Sequence, residues 1–359
     1  IDPAIRERST HWYVGARRIA RELADRYQIS TEAVAGTLAA LSPQKDWFMN
    51  VTQAERVLDI YHTHQDTAWD NKLTTRANAI VKNQGAIISE AESKGTDKSR
   101  ARQNLANYKQ LLGRVKGKKI SELGSPLEKA VWIRLYDEVY YSRGYRVVSP
   151  EGYYQEAQTT LSGEPAQHAW GSNAEIAKAV SVIEDSSFES ISNQMGGKHK
   201  VRNFYNNIVN PVSDKTSVTI DTHAVAAGML QAYSAASPAV GHNFGAGTGN
   251  SSVTGNVGTY ALYAEAYRRA AAQRDLLPRE MQSITWEAIR GMYTAGFKGG
   301  KKNVDTVNDI WAKYSDGKTT LDKSRQEALR YAKGIKDPTW VGSDSKLSGR
   351  AADTSISGE

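Results

Sequence analysis

The sequence predicts a mostly α-helical protein. Apolar residues recur at three- and four-residue spacings through most of the chain, and strand-like runs are few. The residues between these segments are typical of helix caps and turns. The chain has 359 residues and is 40% hydrophobic, which is enough for one large core or two smaller ones. No internal repeat is visible, so we expect an ordinary globular fold and not a solenoid.

The predicted helices begin near the N-terminus. Residues 10–27 carry Trp12, Ala16 and Leu23 on one face of an amphipathic helix. Ser30 or Thr31 is the expected cap of the next helix. Further helical patterns occupy residues 30–41, 50–61, 126–143, 174–184, 200–209, 259–274 and 279–293.

Three segments lack helical periodicity. Residues 146–175 are rich in loop-forming residues, and the glycine-rich stretch 236–258 predicts a long surface loop. The polar segment 336–359 predicts a disordered tail. The folded region is therefore expected to end at about residue 335.

Composition narrows the function classes. The chain has no cysteine, so disulfides, thiolate zinc sites and cysteine-held iron–sulfur clusters are excluded. No apolar stretch reaches the length of a membrane-spanning helix, and no signal-peptide pattern opens the sequence, so we expect a cytoplasmic protein. A net charge of +7 and a pI near 9.2 favour a polyanionic partner.

The stretch "ISNQMGGKHKVRNFYNNIV" predicts two helices joined by a tight turn at Gly196 and Gly197. Amide groups at the start of the second helix form an anion site. Lys198, His199, Lys200 and Arg202 surround it, so the turn suits a phosphate. A helical hairpin with a solvated basic face explains the same residues.

The stretch "SVTIDTHAVAAG" places Asp221 and His223 between a β-branched run and a helix. Asp221 is either a helix cap or a catalytic carboxylate. His223 is either structural or able to orient Asp221 or contact phosphate.

These pieces, in this order, resemble the helix-hairpin-helix DNA glycosylase superfamily, the relatives of endonuclease III. A hairpin with glycines and lysines precedes "IDTH" by about twenty residues, and "LAALSPQKDWFMNVTQAERVLDIY" is similar to the family's upstream helix-loop-helix. The resemblance implies a glycosylase-like fold of two helical lobes over residues 1–335, with an insertion at about 85–175.

The resemblance also implies site residues. Asp221 matches the catalytic carboxylate, with Lys198, His199 and Lys200 as further catalytic candidates. His199 stands where lyase-type members have lysine, which argues against a Schiff-base step. Residues expected to contact the DNA backbone are Gly196, Gly197 and Arg202. Residues expected to line the base pocket or enter the DNA are Gln44, Trp47, Asn50, His223, Gln282 and Trp286, although core packing is an alternative explanation of Trp47 and Trp286.

The resemblance therefore implies a monomeric, phage-encoded enzyme, located in the host cytoplasm. It would hydrolyse the N-glycosidic bond of a modified or damaged base in DNA, without metal or organic cofactor. Extruding the base would require side chains that fill the gap and stack on it. Alternatives are a pyrophosphorylase-type enzyme of thymine hypermodification, a non-catalytic DNA-binding module and a structural protein of a virion.

Overall fold

A computed structural model describes residues 1–160, 163–197, 199–245 and 258–336, and within them the protein is mostly helical, as predicted. Its α-helices are α1 (Pro3–Ser9), α2 (Trp12–Tyr27), α3 (Thr31–Leu41), α4 (Trp47–Thr63), α5 (Asn71–Ser93), α6 (Ser99–Val115), α7 (Pro126–Tyr140), α8 (Asn173–Glu184), α9 (Phe188–Met195), α10 (His199–Val209), α11 (Thr222–Met229), α12 (Pro238–Asn243), α13 (Tyr260–Ala272), α14 (Pro278–Met292), α15 (Ala295–Gly299), α16 (Lys301–Ser315) and α17 (Leu321–Tyr331).

Side-chain caps explain several helix boundaries. Ser30 accepts a hydrogen bond from the Ala33 amide at 3.0 Å and so starts α3. Ser125 and Glu128 form a capping box at α7. These interactions satisfy amides that would otherwise lack partners at the first turn.

Strand structure is limited to one antiparallel pair, β1 (Arg146–Val148) and β2 (Tyr154–Ala157), in the described residues. The segment predicted to be loop-rich thus contains a small hairpin. Its tip packs closely on α2: a Cβ on Gly15 would lie 2.1 Å from the Pro150 carbonyl oxygen. Glycine at this helical position lets the two backbones meet.

The largest hydrophobic core is formed by α2, α3, α4, α7, α8 and α10. Helix α7 belongs to the region that the sequence marks as an insertion, yet Trp132, Ile133 and Leu135 on it are fully buried. That region is therefore part of the main core, because its apolar face packs on α4 and α8.

Helix α14 joins this core to two smaller ones. Trp286 packs in the large core, Met281 in a cluster with α11 and α13, and Ile289 in a cluster with α16 and α17. One helix thus presents different faces to three groups of helices. The helices α15 to α17 have no counterpart among the helical patterns identified in the sequence.

Within its described residues the glycine-rich stretch contains one helix, α12, so the prediction of irregular structure throughout 236–258 is wrong at its start. Pro238 occupies the first helical position, where its fixed backbone angle favours a helix. Residues 246–257 and the predicted tail from 337 onwards lie outside the described residues. In the described ranges, no helix combines the length and apolar character needed to cross a membrane.

Candidate functional site

A small cavity lies where α2, α4, α10 and α14 meet the extended segment before α11. Its volume is about 50 Å³, several times the roughly 10–15 Å³ that a single water needs on the same measure. The walls combine large aromatic side chains with a few polar groups: Trp12, Tyr13, Ala16, Trp47, Phe204, Thr219, Asp221, Gln282, Ser283 and Trp286. Four of the residues predicted from sequence, Trp47, Asp221, Gln282 and Trp286, line this cavity.

Asp221 is the carboxylate in the cavity wall. Its side chain caps α11 by accepting a hydrogen bond from the Ala224 amide at 2.7 Å. The residue is only 2% exposed, and this burial raises the pKa of Asp221 from its ordinary value to about 7. The Ala224 amide and the charges of Lys200 and Arg290 oppose this rise. Asp221 therefore caps a helix and also supplies a titratable group to the cavity.

Two cations act on Asp221 from different helices. Lys200 on α10 is 2% exposed and donates a hydrogen bond to the Ser42 carbonyl at 3.3 Å. The guanidinium of Arg290 on α14 lies 4.8 Å from the centre of the Trp286 ring. Because Gln282, Trp286 and Arg290 are four residues apart, they form one stripe along α14.

The extended segment that leads to Asp221 is held without a β-ladder. The Ile220 amide donates to the Tyr260 hydroxyl at 3.0 Å, and that hydroxyl donates to the Val218 carbonyl at 2.9 Å. Asn207 donates to the Thr219 hydroxyl at 3.0 Å. Helix α13 thus satisfies backbone groups of a run that the sequence shows as strand-like, and α10 holds its Thr219 side chain.

The aromatic walls are fixed by contacts outside the cavity. Trp12 and Trp286 meet edge to face at 5.5 Å, and Trp47 meets Phe204 at 6.0 Å. The Trp12 indole donates to Glu287 at 2.7 Å, a buried carboxylate that also accepts from Arg8 at 2.8 Å. These contacts fix the positions of the rings, as a binding site for a flat molecule requires.

Gln44 lies on the surface beside this site. It is the single exposed residue between Ala33 and Ala54, and its φ of 53° places it in the left-handed region. Few residues other than glycine, asparagine and aspartate adopt this backbone conformation without strain. The hydrogen bond from Lys200 to Ser42 ties this turn to α10.

The predicted hairpin is present as α9 and α10, with Gly196 at a φ of 54° in the turn. Arg202 donates to the Ser192 hydroxyl and carbonyl, both at 2.9 Å, and to the Gly196 carbonyl at 3.1 Å. Arg202 therefore stabilises the C-terminal end of α9, a role that the sequence pattern does not reveal. Gly197 is exposed, and a Cβ at this position would meet nothing within 4 Å.

The basic residues of the hairpin separate into different environments. Lys200 points inwards, because its side chain is buried against the turn at Ser42. His199 is exposed and its ring lies 5.5 Å from that of Tyr260; it does not line the cavity. Lys198 lies outside the described residues.

Two further predicted residues are buried away from the cavity wall. Asn50 donates to the Leu38 carbonyl at 2.9 Å and joins α3 to α4. It is fully buried, so the structure does not bring it to the surface beside Gln44. His223 is buried beside Trp286, with 6.4 Å between ring centres, and does not line the cavity.

Sequence reasoning missed a second buried aspartate. Asp46 caps α4 by accepting from the Met49 amide at 2.8 Å, and the Tyr145 hydroxyl donates to it at 3.3 Å. Burial raises the pKa of Asp46 to about 6, and the charge of Arg290 opposes the rise. An aspartate just before an apolar helical pattern is the signal that identifies such a cap. No group of three or more potential metal ligands occurs among the residues that the structure describes.

The fold and this site define an all-α protein with a small, aromatic-walled cavity that contains a buried carboxylate. The chain belongs to a family of unknown function, DUF7178, which matches residues 2–97 and 153–293. The matched residues include the turn at Gln44, the hairpin and every residue of the cavity wall, whereas α6 and α7 lie between the two matched parts. No curated protein and no solved structure matches the chain.

Proposed function

We propose that the protein is a helix-hairpin-helix DNA glycosylase-like enzyme that acts on the N-glycosidic bond of a modified or damaged base in DNA. The observation that carries the proposal is the position of Asp221, a buried carboxylate in the wall of a cavity formed by aromatic rings. Aromatic walls suit a flat base that has left the helical stack, and a carboxylate suits the chemistry at its sugar.

The reaction follows from the charge that develops at the sugar. When the bond between base and sugar breaks, the base leaves with the bonding electrons and the sugar gains oxocarbenium character. Ionised Asp221 stabilises this positive charge, or accepts a proton from the water that attacks the sugar. With a pKa of about 7, Asp221 changes its protonation state near neutral pH, so activity rises as pH increases through this range.

Gln44 and the hairpin fit the DNA-binding part of the proposal. Gln44 projects from a strained turn that Lys200 connects to α10. A protruding side chain of this kind fills the space left by an extruded base and offsets part of the cost of unstacking. The amides at the start of α10, next to Gly196 and Gly197, offer a phosphate site that reads no sequence.

A hypermodification enzyme is the second candidate. The charges of Lys200 and Arg290 act on the same carboxylate, and paired cations suit a substrate that carries phosphate. Such an enzyme would use Asp221 on a phosphorylated hydroxymethyluracil in DNA, and it would consume the modified base without leaving an abasic site.

The test is single-turnover formation of abasic sites on duplexes with different modified bases, comparing the parent with Asp221→Asn and Asp46→Asn. Both aspartates are buried helix caps, and asparagine caps nearly as well, but Asp46 does not line the cavity. We expect Asp221→Asn to abolish base release and Asp46→Asn to retain it.

Equal activity of Asp221→Asn and the parent, with unchanged DNA affinity, would refute the assignment of Asp221. Loss of a phosphorylated modified base without abasic sites would favour the hypermodification enzyme. DNA binding without any change in the bases would leave only a binding module.

A further inference from the structure

The indole N–H of Trp47 differs in its hydrogen bonding from the indole N–H groups of five other tryptophans. The ring lines the cavity, and its buried Nε1 has no hydrogen-bond partner within the described residues. Five other indole groups donate to protein acceptors: Trp12 to Glu287, Trp69 to Thr74, Trp132 to the Lys118 carbonyl, Trp170 to Asp137 and Trp311 to the Leu230 carbonyl.

A buried donor without an acceptor is unfavourable, and native structures rarely retain one without a reason. Trp47 is placed firmly by Phe204, which it meets edge to face. Because the ring forms part of the cavity wall, a molecule bound in the cavity is the candidate partner for this N–H.

Gln282 provides a second donor at the same wall. Its side-chain oxygen accepts a hydrogen bond from the Tyr13 hydroxyl at 3.1 Å, and its amide nitrogen can only donate. An indole N–H donates and never accepts. Trp47 and Gln282 therefore favour a ligand whose edge carries hydrogen-bond acceptors.

We propose that the base bound in this cavity carries an oxo group that accepts the hydrogen bond of the Trp47 indole. The inference rests on the proposed function and narrows its substrate to oxo bases of the uracil and hypoxanthine type. A base with an amino group at that position, as in cytosine or adenine, would leave the Trp47 donor facing another donor. A site built around such a hydrogen bond rejects the analogue that lacks the acceptor.

The test measures binding, so it does not require the enzyme to be active. Deoxyuridine and deoxycytidine form one matched pair, and deoxyinosine and deoxyadenosine form another, because within each pair an amino group replaces the oxo group and the adjacent ring nitrogen loses its hydrogen. The affinities of the four nucleosides are measured for the full chain, for Trp47→Phe and for Trp311→Phe. The last variant removes an indole donor that lies outside the cavity.

We expect each oxo nucleoside to bind the parent at least about ten-fold more tightly than its amino partner. Trp47→Phe should lose this preference and Trp311→Phe should keep it. The indole proton signal of Trp47 in a two-dimensional NMR spectrum, identified by sequential assignment of the parent chain, should move when an oxo nucleoside is added. This signal reports on the donor itself even if Trp47→Phe folds poorly.

Equal binding of the matched nucleosides to the parent, or a stationary Trp47 signal in a saturated complex, would overturn the inference and leave the proposed function intact. A preference that survives in Trp47→Phe would overturn it as well. If none of the four nucleosides altered any signal from the cavity, both the inference and the assignment of the cavity as a base pocket would fail.

Discussion

Replacing Asp221 with asparagine should make the protein more stable while it abolishes the proposed reaction. Burial makes the ionised carboxylate unfavourable in the folded protein, even with the charges of Lys200 and Arg290 nearby. Asparagine keeps the hydrogen bond from the Ala224 amide, since it caps helices about as well as aspartate. The variant therefore removes the unfavourable charge and leaves the cap.

The magnitude follows from the pKa of Asp221, which rises from an ordinary 3.8 to about 7 in the folded chain. Each pKa unit corresponds to about 1.4 kcal/mol, so the ionised carboxylate costs up to about 4 kcal/mol. Below about pH 4 the group is protonated in both states and contributes no penalty. As pH rises to about 7, the unfolded chain ionises first and the free energy of unfolding falls.

The assay is urea denaturation of the parent and Asp221→Asn at several pH values, alongside single-turnover base release. We expect the variant to exceed the parent by up to about 4 kcal/mol at about pH 8 and by about half as much at about pH 5. Asp46→Asn serves as the comparison, because burial raises the pKa of Asp46 only to about 6; its gain should be smaller.

A difference in unfolding free energy that stays constant from pH 5 to pH 8 would refute the assigned pKa. A variant less stable than the parent at about pH 8 would show that Asp221 is needed to balance the buried Lys200.

Three further changes test neighbouring residues. Gln44→Ala should leave stability within about 0.5 kcal/mol but reduce base release from a paired target more than from a mismatched one; equal losses would make Gln44 structural. Arg290→Met should move the acidic side of the pH–rate profile to higher pH, because loss of this cation raises the pKa of Asp221 further, and an unshifted profile would contradict this. Arg202→Ala should lower the free energy of unfolding by about 1–3 kcal/mol, because three hydrogen bonds to the end of α9 are lost. Unchanged stability together with a reduced salt dependence of DNA binding would instead indicate that Arg202 contacts DNA phosphates.

Local interactions made much of the helical structure predictable. The apolar spacing in α2, the cap at Ser30 and the glycine turn between α9 and α10 are encoded within a few residues of each other. The cap at Asp221 belongs to the same class. Such features depend on backbone geometry and nearby side chains, so the sequence carries them directly.

The surroundings of each site residue were not predictable in this way. Lys200 and Arg202 are two positions apart in one basic stretch, yet Lys200 is buried near Asp221 and Arg202 caps α9 from the half-exposed face. The sequence gives both as basic residues on a hairpin. Only the packing of α10 on the turn at Ser42 decides which one loses contact with water.

The sequence by itself determined an all-α protein with a capping aspartate after a hairpin and an aromatic residue near the start of α4. The tertiary structure decided that Asp221 and Trp47, separated by more than 170 residues, share one cavity wall with Gln282. It also decided that Asn50 joins two helices while Gln44 projects from the surface. The physical reason is that helix periodicity is set by neighbouring residues, whereas desolvation and the pKa shift it causes depend on helices brought together from distant parts of the chain.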